Sequence, residues 1–156
     1  MKMFVVGIIN AVAKVREIKT ADFDRVAELT NRFFPYTRSD REKIAERLQR
    51  GSVYFIAEVR KKVVGFIDIR IYEKNAKIIG IAVDDDYREI GIGSALIKKA
   101  FKFIRRMGRS SIFLRVERSN RDAINFYKNN GFDVRSDIID AASGRVIYIL
   151  EKKFEN

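Results

Sequence analysis

Between Ile78 and Met107 the sequence runs from an apolar, strand-like segment through Arg88-Glu89-Ile90-Gly91-Ile92-Gly93-Ser94 into an amphipathic helical pattern. The spacing of the turn is Arg-x-x-Gly-x-Gly. A strand that feeds glycines into a helix start gathers free backbone N–H groups at one point, with the positive end of the helix dipole behind them. Such a turn suits a phosphate group, and glycine lets the anion approach where a side chain would block it. Two commoner phosphate loops do not fit. The dinucleotide fingerprint needs a third glycine at 96, which is Leu96, and no Gly-Lys-Ser/Thr follows for a P-loop.

A second block lies downstream: Leu114-Arg-Val-Glu-Arg-Ser-Asn120, then Ala123-Ile124, Phe126-Tyr127-Lys128 and Gly131-Phe132. Asn120 stands just before a helical pattern with Asp122 in its first turn, which is the spelling of an N-cap. Tyr127 beside Phe126 reads, on pattern alone, as a core aromatic.

The two blocks together resemble motif A and the later strand, Asn, helix with Tyr and closing Gly-Phe of the GNAT superfamily of acyl-CoA N-acyltransferases. The likeness runs over roughly 15–154 and is closest in character to ribosomal-protein and N-terminal acetyltransferases. It implies an α/β fold, a mixed central sheet flanked by helices in one domain, with acetyl-CoA as co-substrate between the fourth and fifth strands and no metal. Carried over, the backbones of Ile81, Ala82 and Val83 would meet the pantetheine and the thioester, where an N–H would stabilise the developing oxyanion. The amides of Glu89, Ile90, Gly91, Ile92, Gly93 and Ser94 would wrap the pyrophosphate, with Arg88 helping by charge. Asn120 would touch the cofactor as well as cap its helix. Tyr127 would protonate the departing thiolate, a transfer only mildly uphill from a phenol of pKa about 10 to a thiol of about 8.5.

The sequence departs from these relatives at Arg115, where a Glu or His base often stands twelve residues before the Tyr. A guanidinium cannot accept a proton. Base catalysis then falls to water, to another carboxylate such as Glu73 or Glu117, or is unnecessary. An α-amine of pKa about 7.8 is roughly a tenth neutral at pH 7, whereas a lysine near 10.4 is neutral in about one part in two thousand. Arg115 would also push an incoming amine towards its neutral form. Both points favour an N-terminal amine. Asn31-Arg-Phe-Phe-Pro35-Tyr36 further resembles the Phe-Pro peptide loop of N-terminal acetyltransferases, so Phe34, Pro35 and Tyr36 are candidates for the acceptor site. Two core aromatics around a helix break read equally well. Lys98, Lys99, Arg121 and Lys128 are candidates for the adenosine phosphate, or plain surface charge.

Composition narrows the chemistry. The 156 residues contain no Cys and no His, which removes disulfides, thiolate nucleophiles and the commonest general base. An acyl-enzyme is therefore not indicated, and the amine would attack the thioester directly. Lys and Arg total 32 against 21 Asp and Glu, an excess of +11 that attracts phosphate-rich partners. Coenzyme A satisfies part of it. High charge and few thermolabile side chains suit a thermophile. No apolar run is long enough to span a membrane, and a cytoplasmic location is expected.

The chain divides into an apolar extension over 1–14, read as an extra strand or start artefact, and a catalytic domain over 15–156. The extension is also a candidate for pairing with a second copy in a homodimer. Periodicity predicts a strand at 15–18, helices over 22–33 and, from a Ser39-Asp-Arg-Glu42 capping box, up to Gly51. Strands follow at 53–59 and 63–72 around a Lys61-Lys62 hairpin, then at 78–83 after a turn over 73–76. The remaining elements are a helix to Met107, a strand at 112–116, a helix over 121–130 and a hairpin of 133–140 with 146–154. The reading is an acetyl-CoA-dependent N-acetyltransferase acting on a protein or peptide N-terminal amine. The alternatives are a small-amine or polyamine acetyltransferase, and a non-catalytic basic nucleic-acid-binding module, which is not favoured.

Overall fold

The computed structural model describes residues 13–155. The elements are β1 (Lys14–Glu17), α1 (Phe23–Phe33), α2 (Arg41–Gln49), β2 (Ser52–Val59), β3 (Lys62–Ile71), β4 (Asn75–Val83), α3 (Ile92–Arg106), β5 (Ser111–Glu117), α4 (Arg121–Asn129), β6 (Asp133–Ile139) and β7 (Val146–Lys153). This is the order expected from periodicity. Seven strands form one sheet in the order β1-β2-β3-β4-β5-β7-β6. The sheet is mixed, because β4 and β5 pair in parallel while β1–β2, β2–β3, β5–β7 and β6–β7 are antiparallel. The apolar extension expected over 1–14 falls outside the described residues except at its end, where Lys14 already belongs to β1. By internal contacts the chain forms two compact units, residues up to 70 with 79–100, and 71–78 with the rest from 101.

In the first unit the apolar stripe of α1 (Val26, Ala27, Leu29) packs with Ile44 of α2 onto Tyr54, Ile56, Val63, Phe66 and Ala82. Helix α1 stops at Phe33 because Pro35 follows, and the chain makes a short 3-10 turn from Pro35 to Thr37. The N-cap of α2 is Asp40, one residue later than the expected Ser39. Asp40 accepts from the Lys43 amide at 2.8 Å. Ser39 is otherwise engaged: its N–H donates to Asn31 Oδ1 at 2.6 Å and its carbonyl accepts from Asn31 Nδ2 at 2.8 Å. The β2–β3 turn is Arg60-Lys61, not Lys61-Lys62, since Val59 pairs with Lys62. Both turn residues are left-handed, with φ of 51° and 66°. A two-residue turn needs this geometry to match the strand twist, although neither side chain favours it.

In the second unit, Ile112 and Leu114 of β5, Ile104 of α3 and Leu150 of β7 are fully or nearly fully buried. Strand β4 begins at Asn75, earlier than the expected Ile78, because Tyr72 N–H closes the turn on the Asn75 carbonyl at 2.8 Å. Asn75 and Ala76 then already pair with Ser111 and Ile112. Helix α4 ends at Gly131 (φ 93°), whose N–H reaches Lys128 O at 3.0 Å, while Phe132 N–H returns to Tyr127 O at 3.1 Å. This left-handed C-cap throws Phe132 into the core, 5.6 Å from the Tyr127 ring and 5.7 Å from Phe101. Phe132 thus meets Tyr127 both through its ring and through its backbone N–H. The edge strand β6 is exposed along its whole length, and its charges and a bulge near Ser136 blunt the edge.

Relieving the left-handed strain at Lys61 should stabilise the protein. Lys61→Gly is expected to raise unfolding free energy by about 0.5–1 kcal/mol, read as a higher urea midpoint at unchanged slope.

Candidate active site

The glycine turn is held from beneath by Asp84, a buried carboxylate at the end of β4. Its backbone N–H donates to Val64 O at 2.7 Å, continuing the sheet one residue past the strand. Its side chain accepts from Arg25 Nη2 at 2.6 Å and from the Asp86 amide at 3.1 Å. Arg25 in turn donates Nε to Val63 O at 3.0 Å, so one guanidinium ties α1 to both β3 and the turn. Burial alone would raise the Asp84 carboxyl, but the Asp86 amide and the Arg25 guanidinium outweigh it and hold its pKa low. Gly65 is needed beside it, because a Cβ there would stand 2.9 Å from Ala82 O.

Beyond Asp84 the backbone makes a turn that uses left-handed conformations at Glu89 (φ 63°) and Gly91 (φ 91°). Helix α3 starts at Ile92, and the Ala95 amide, to Gly91 O at 3.0 Å, closes its first turn. The amides of Ile92, Gly93 and Ser94 therefore precede any intrahelical partner and sit at the positive end of the helix. The Ile92 side chain is buried, so only its backbone can serve a ligand, whereas Gly91 is exposed. Arg88 lies across the Phe33 ring at 4.6 Å, donates Nε to Val83 O at 3.2 Å and pairs with Asp85 at 3.2 Å. Its first task in this structure is to hold the turn against α1 and β4. Ile81, Ala82 and Val83 complete β4 immediately before it, with Ala82 buried.

A cleft of about 600 Å³ opens in the same unit, between the 34–37 loop, α2 and the faces of β2, β3 and β4. Phe34 and Tyr36 line it, as do Ile79 and Gly80 just upstream of the residues assigned to pantetheine. Pro35 does not line it. It starts the 3-10 turn, and the Asn31–Ser39 clamp pins that loop at both ends. The Phe34 ring lies over Gly80, where an added Cβ would meet it at 3.6 Å, whereas Tyr36 projects into solvent, 82% exposed. The floor holds charge that sequence reasoning did not single out. Arg47 pairs with the buried Asp68 and donates Nε to Tyr54 OH at 3.0 Å. Burial pushes the Asp68 carboxyl up against the opposing Arg47, and burial with the Asp68 charge raises the Tyr54 phenol far above its ordinary value. The signal in the sequence was Asp68 and Arg70 alternating with Ile67, Ile69 and Ile71 in an otherwise apolar strand.

Asn120 and Tyr127 belong to the second unit. Asn120 is the N-cap, accepting from the Ala123 amide at 3.2 Å. Tyr127 is buried, and that burial pushes its phenol up to about 12. Arg115 is exposed on β5, where its charge helps to hold the Asp140 carboxyl low after the Ser143 hydroxyl has done most of that work. Of the alternative bases, Glu117 is engaged by Arg145 at 2.9 Å, and Glu73 lies in the turn that begins β4, whereas the glycine turn follows its end. Lys99 lies over Phe55 at 5.8 Å, while Lys98, Arg121 and Lys128 are exposed. Among the described residues no helix is long and apolar enough to cross a membrane.

The seven strands in this order, with a glycine turn opening α3, match the fold of acyl-CoA N-acyltransferases. The model of the acetyltransferase (GNAT) family matches residues 23–132, and the chain belongs to that family. It is 28% identical over 132 residues to the N-alpha-acetyltransferase of Sulfurisphaera tokodaii, which covers 76% of this chain and 79% of that protein. The structure of Ard1 from Thermoplasma volcanium is similar at a TM-score of 0.79 and 26% identity, covering 93% of this chain and 99% of that one. PaiA N-acetyltransferase from Thermoplasma acidophilum, solved in complex with coenzyme A, shares the fold at a TM-score of 0.73 and 21% identity, over 91% of this chain and 99% of that one. The protein is an acetyl-CoA-dependent N-acetyltransferase that transfers acetyl to an amine.

Asp84→Asn should loosen the turn and destabilise the fold by about 1–3 kcal/mol, since Arg25 loses its buried counter-charge and keeps only the exposed Glu28. The sign of the pH effect follows from the lowered carboxyl. Asp84 contributes its stability above the ordinary carboxylate pKa of about 3.9 and loses it as pH falls through the lower folded value. The variant should accordingly lose less stability than the wild type on acidification below about pH 4, measured by urea titration at several pH values. It should also bind CoA more weakly by calorimetry at neutral pH.

Proposed function

We propose that the acceptor is the α-amine of a protein or peptide N-terminus, received in the cleft of the first unit. The observation that carries this reading is the cleft itself, open beside Ile79 and Gly80, walled by Phe34 and the outward-facing Tyr36, and lined by more cations than carboxylates. Such a lining disfavours polyamines and lysine side chains, which arrive as cations almost without exception. An α-amine is neutral for roughly a tenth of the time at pH 7 and can enter uncharged. An exposed aromatic rim gives a peptide ring surface to lie against, which a small amine would not use. The similarity to an N-alpha-acetyltransferase and to Ard1 supports the same class.

In this reading the diphosphate of acetyl-CoA takes the amides of 89–94, with Arg88 adding charge, and Asn120 contacts the cofactor from its cap position. Its pantetheine pairs with the backbones of Ile81, Ala82 and Val83. The neutral amine attacks the thioester carbonyl carbon, a C–N bond forms, the C–S bond breaks, and the nitrogen's extra proton leaves to water. Tyr127 supplies the proton that the thiolate takes up. With its pKa near 12 it is protonated throughout the working range, so it is always ready as a donor. Against a thiol of about 8.5 the transfer would be uphill by roughly 5 kcal/mol. A thiolate expelled into the same apolar surroundings is destabilised too, and this narrows the difference.

Tyr127→Phe should lower kcat about a hundredfold while changing acetyl-CoA binding little, read by thiol release and calorimetry. In the wild type, no loss of rate from Tyr127 ionisation is expected below about pH 10, given the raised phenol. Equal turnover of mutant and wild type from pH 6 to 9 would remove Tyr127 from the mechanism. A panel of free-N-terminus peptides, lysine peptides with blocked N-termini and spermidine tests the acceptor. Acetylation confined to the last two would overturn the N-terminal reading.

A further inference from the structure

The charges that line the cleft are not equally engaged. Lys43, Arg47, Arg50 and Arg70 face it with only Glu46 and Asp68 against them. Both carboxylates are committed, Asp68 to Arg47 and Glu46 to Arg50 at 2.7 Å. Lys43 donates its ammonium to the Arg38 carbonyl at 2.6 Å and more weakly to Thr37. Arg70 is the exception. It is partly buried near the end of β3, its Nε is shut off from solvent with no hydrogen-bond partner, and it forms no ion pair with any described residue. Two residues earlier on the same face of the strand, the almost fully buried Asp68 has Oδ1 without a partner as well.

A guanidinium held partly out of water without a counter-charge is costly, and cost concentrated in a cleft marks a group that waits for a ligand. The planar fork of arginine matches a carboxylate bidentately, which makes it selective as well as attractive. We infer that the cleft accepts an amine with a carboxylate a few bonds away, and that Arg70 recognises that carboxylate. The inference rests on the reading of this cleft as the acceptor site and names the chemistry of the acceptor. An acidic first residue of a peptide and the α-carboxylate of a free amino acid both supply the group. The peptide is the better fit, because Tyr36, 82% exposed at the rim, offers its ring to following residues that a free amino acid lacks.

The experiment compares kcat/KM for peptides identical except for a first residue of Asp, Glu, Ala or Lys, beside free aspartate and free alanine. It uses wild type, Arg70→Gln, Arg70→Lys and Arg70→Glu, with acetyl-CoA binding confirming that each variant is folded. Wild type should prefer Asp- or Glu-first over Ala-first peptides by about tenfold or more. Arg70→Gln should lose at least about tenfold more on acidic-first than on Ala-first peptides, Arg70→Lys should lose less, and Arg70→Glu should turn the preference towards Lys-first. Free alanine acetylated as well as acidic peptides would keep the carboxylate and overturn the peptide as its source. N-terminal peptides acetylated with no acidic preference would sink the inference and leave the N-terminal reading standing. Activity only on blocked lysine peptides or spermidine would end both. Because the wild-type panel decides the preference alone, a variant that fails to fold does not shelter the idea.

Discussion

The carboxylate of Asp84 is where the strand that leads to the glycine turn is joined to its support. Its backbone extends the pairing with β3 through Val64, and its side chain gathers the Asp86 amide and the Arg25 guanidinium. Arg25 also reaches the carbonyl of Val63, so α1, β3 and the exit of β4 converge on the Asp84 carboxylate, which Arg32 of α1 approaches as well at 3.7 Å. The approach is so close that Gly65 has no room for a Cβ under Ala82 O. With the strand exit anchored this way, the next residues can take the costly left-handed conformations of Glu89 and Gly91. The result is a helix whose first amides have no partner within the helix. The glycine turn is thus strained locally and secured by an interaction outside it.

The second unit applies the same logic to Tyr127 with apolar packing instead of charge. Gly131 ends α4 in a left-handed cap and returns Phe132 against the Tyr127 ring. Burial keeps the phenol protonated, and no neighbouring carboxylate is needed to do so. In the proposed mechanism a donor that stays protonated in the working range suits a chain without histidine, with Arg115 where the resemblance would put a base. The demand on the base falls if the acceptor is an amine that is partly neutral already.

Much of the architecture was legible from the chain because each signal is local. The apolar runs of β2 and β3, the stripe of Leu96, Ile97, Ala100 and Ile104 in α3, and Asn120 as a cap depend only on near neighbours. The places where local reading slipped by a residue each had a distant cause. Ser39 spells an N-cap, but Asn31, eight residues away, takes both of its backbone groups, and Asp40 caps instead. Lys62 looked like a turn residue, yet its pairing with Val59 draws it into β3 and leaves Arg60 to the turn. Asn75 and Ala76 resembled loop until Ser111 and Ile112 offered them a partner strand.

The sequence by itself marked a phosphate-receiving turn, since Arg-x-x-Gly-x-Gly between a strand and a helix start leaves backbone amides without helical partners, and its resemblance to the GNAT superfamily supplied the class of chemistry. It also determined what was excluded, because no Cys or His exists to carry nucleophilic or imidazole chemistry. Only the tertiary structure decided the cleft. Arg47 and Asp68 lie on different elements, as do Glu46 and Arg70, and which cation is neutralised depends on how α2 packs over β3. Charge in a sequence is additive, but charge in a folded site is what remains after pairing, and pairing is a property of distances that the linear order does not contain.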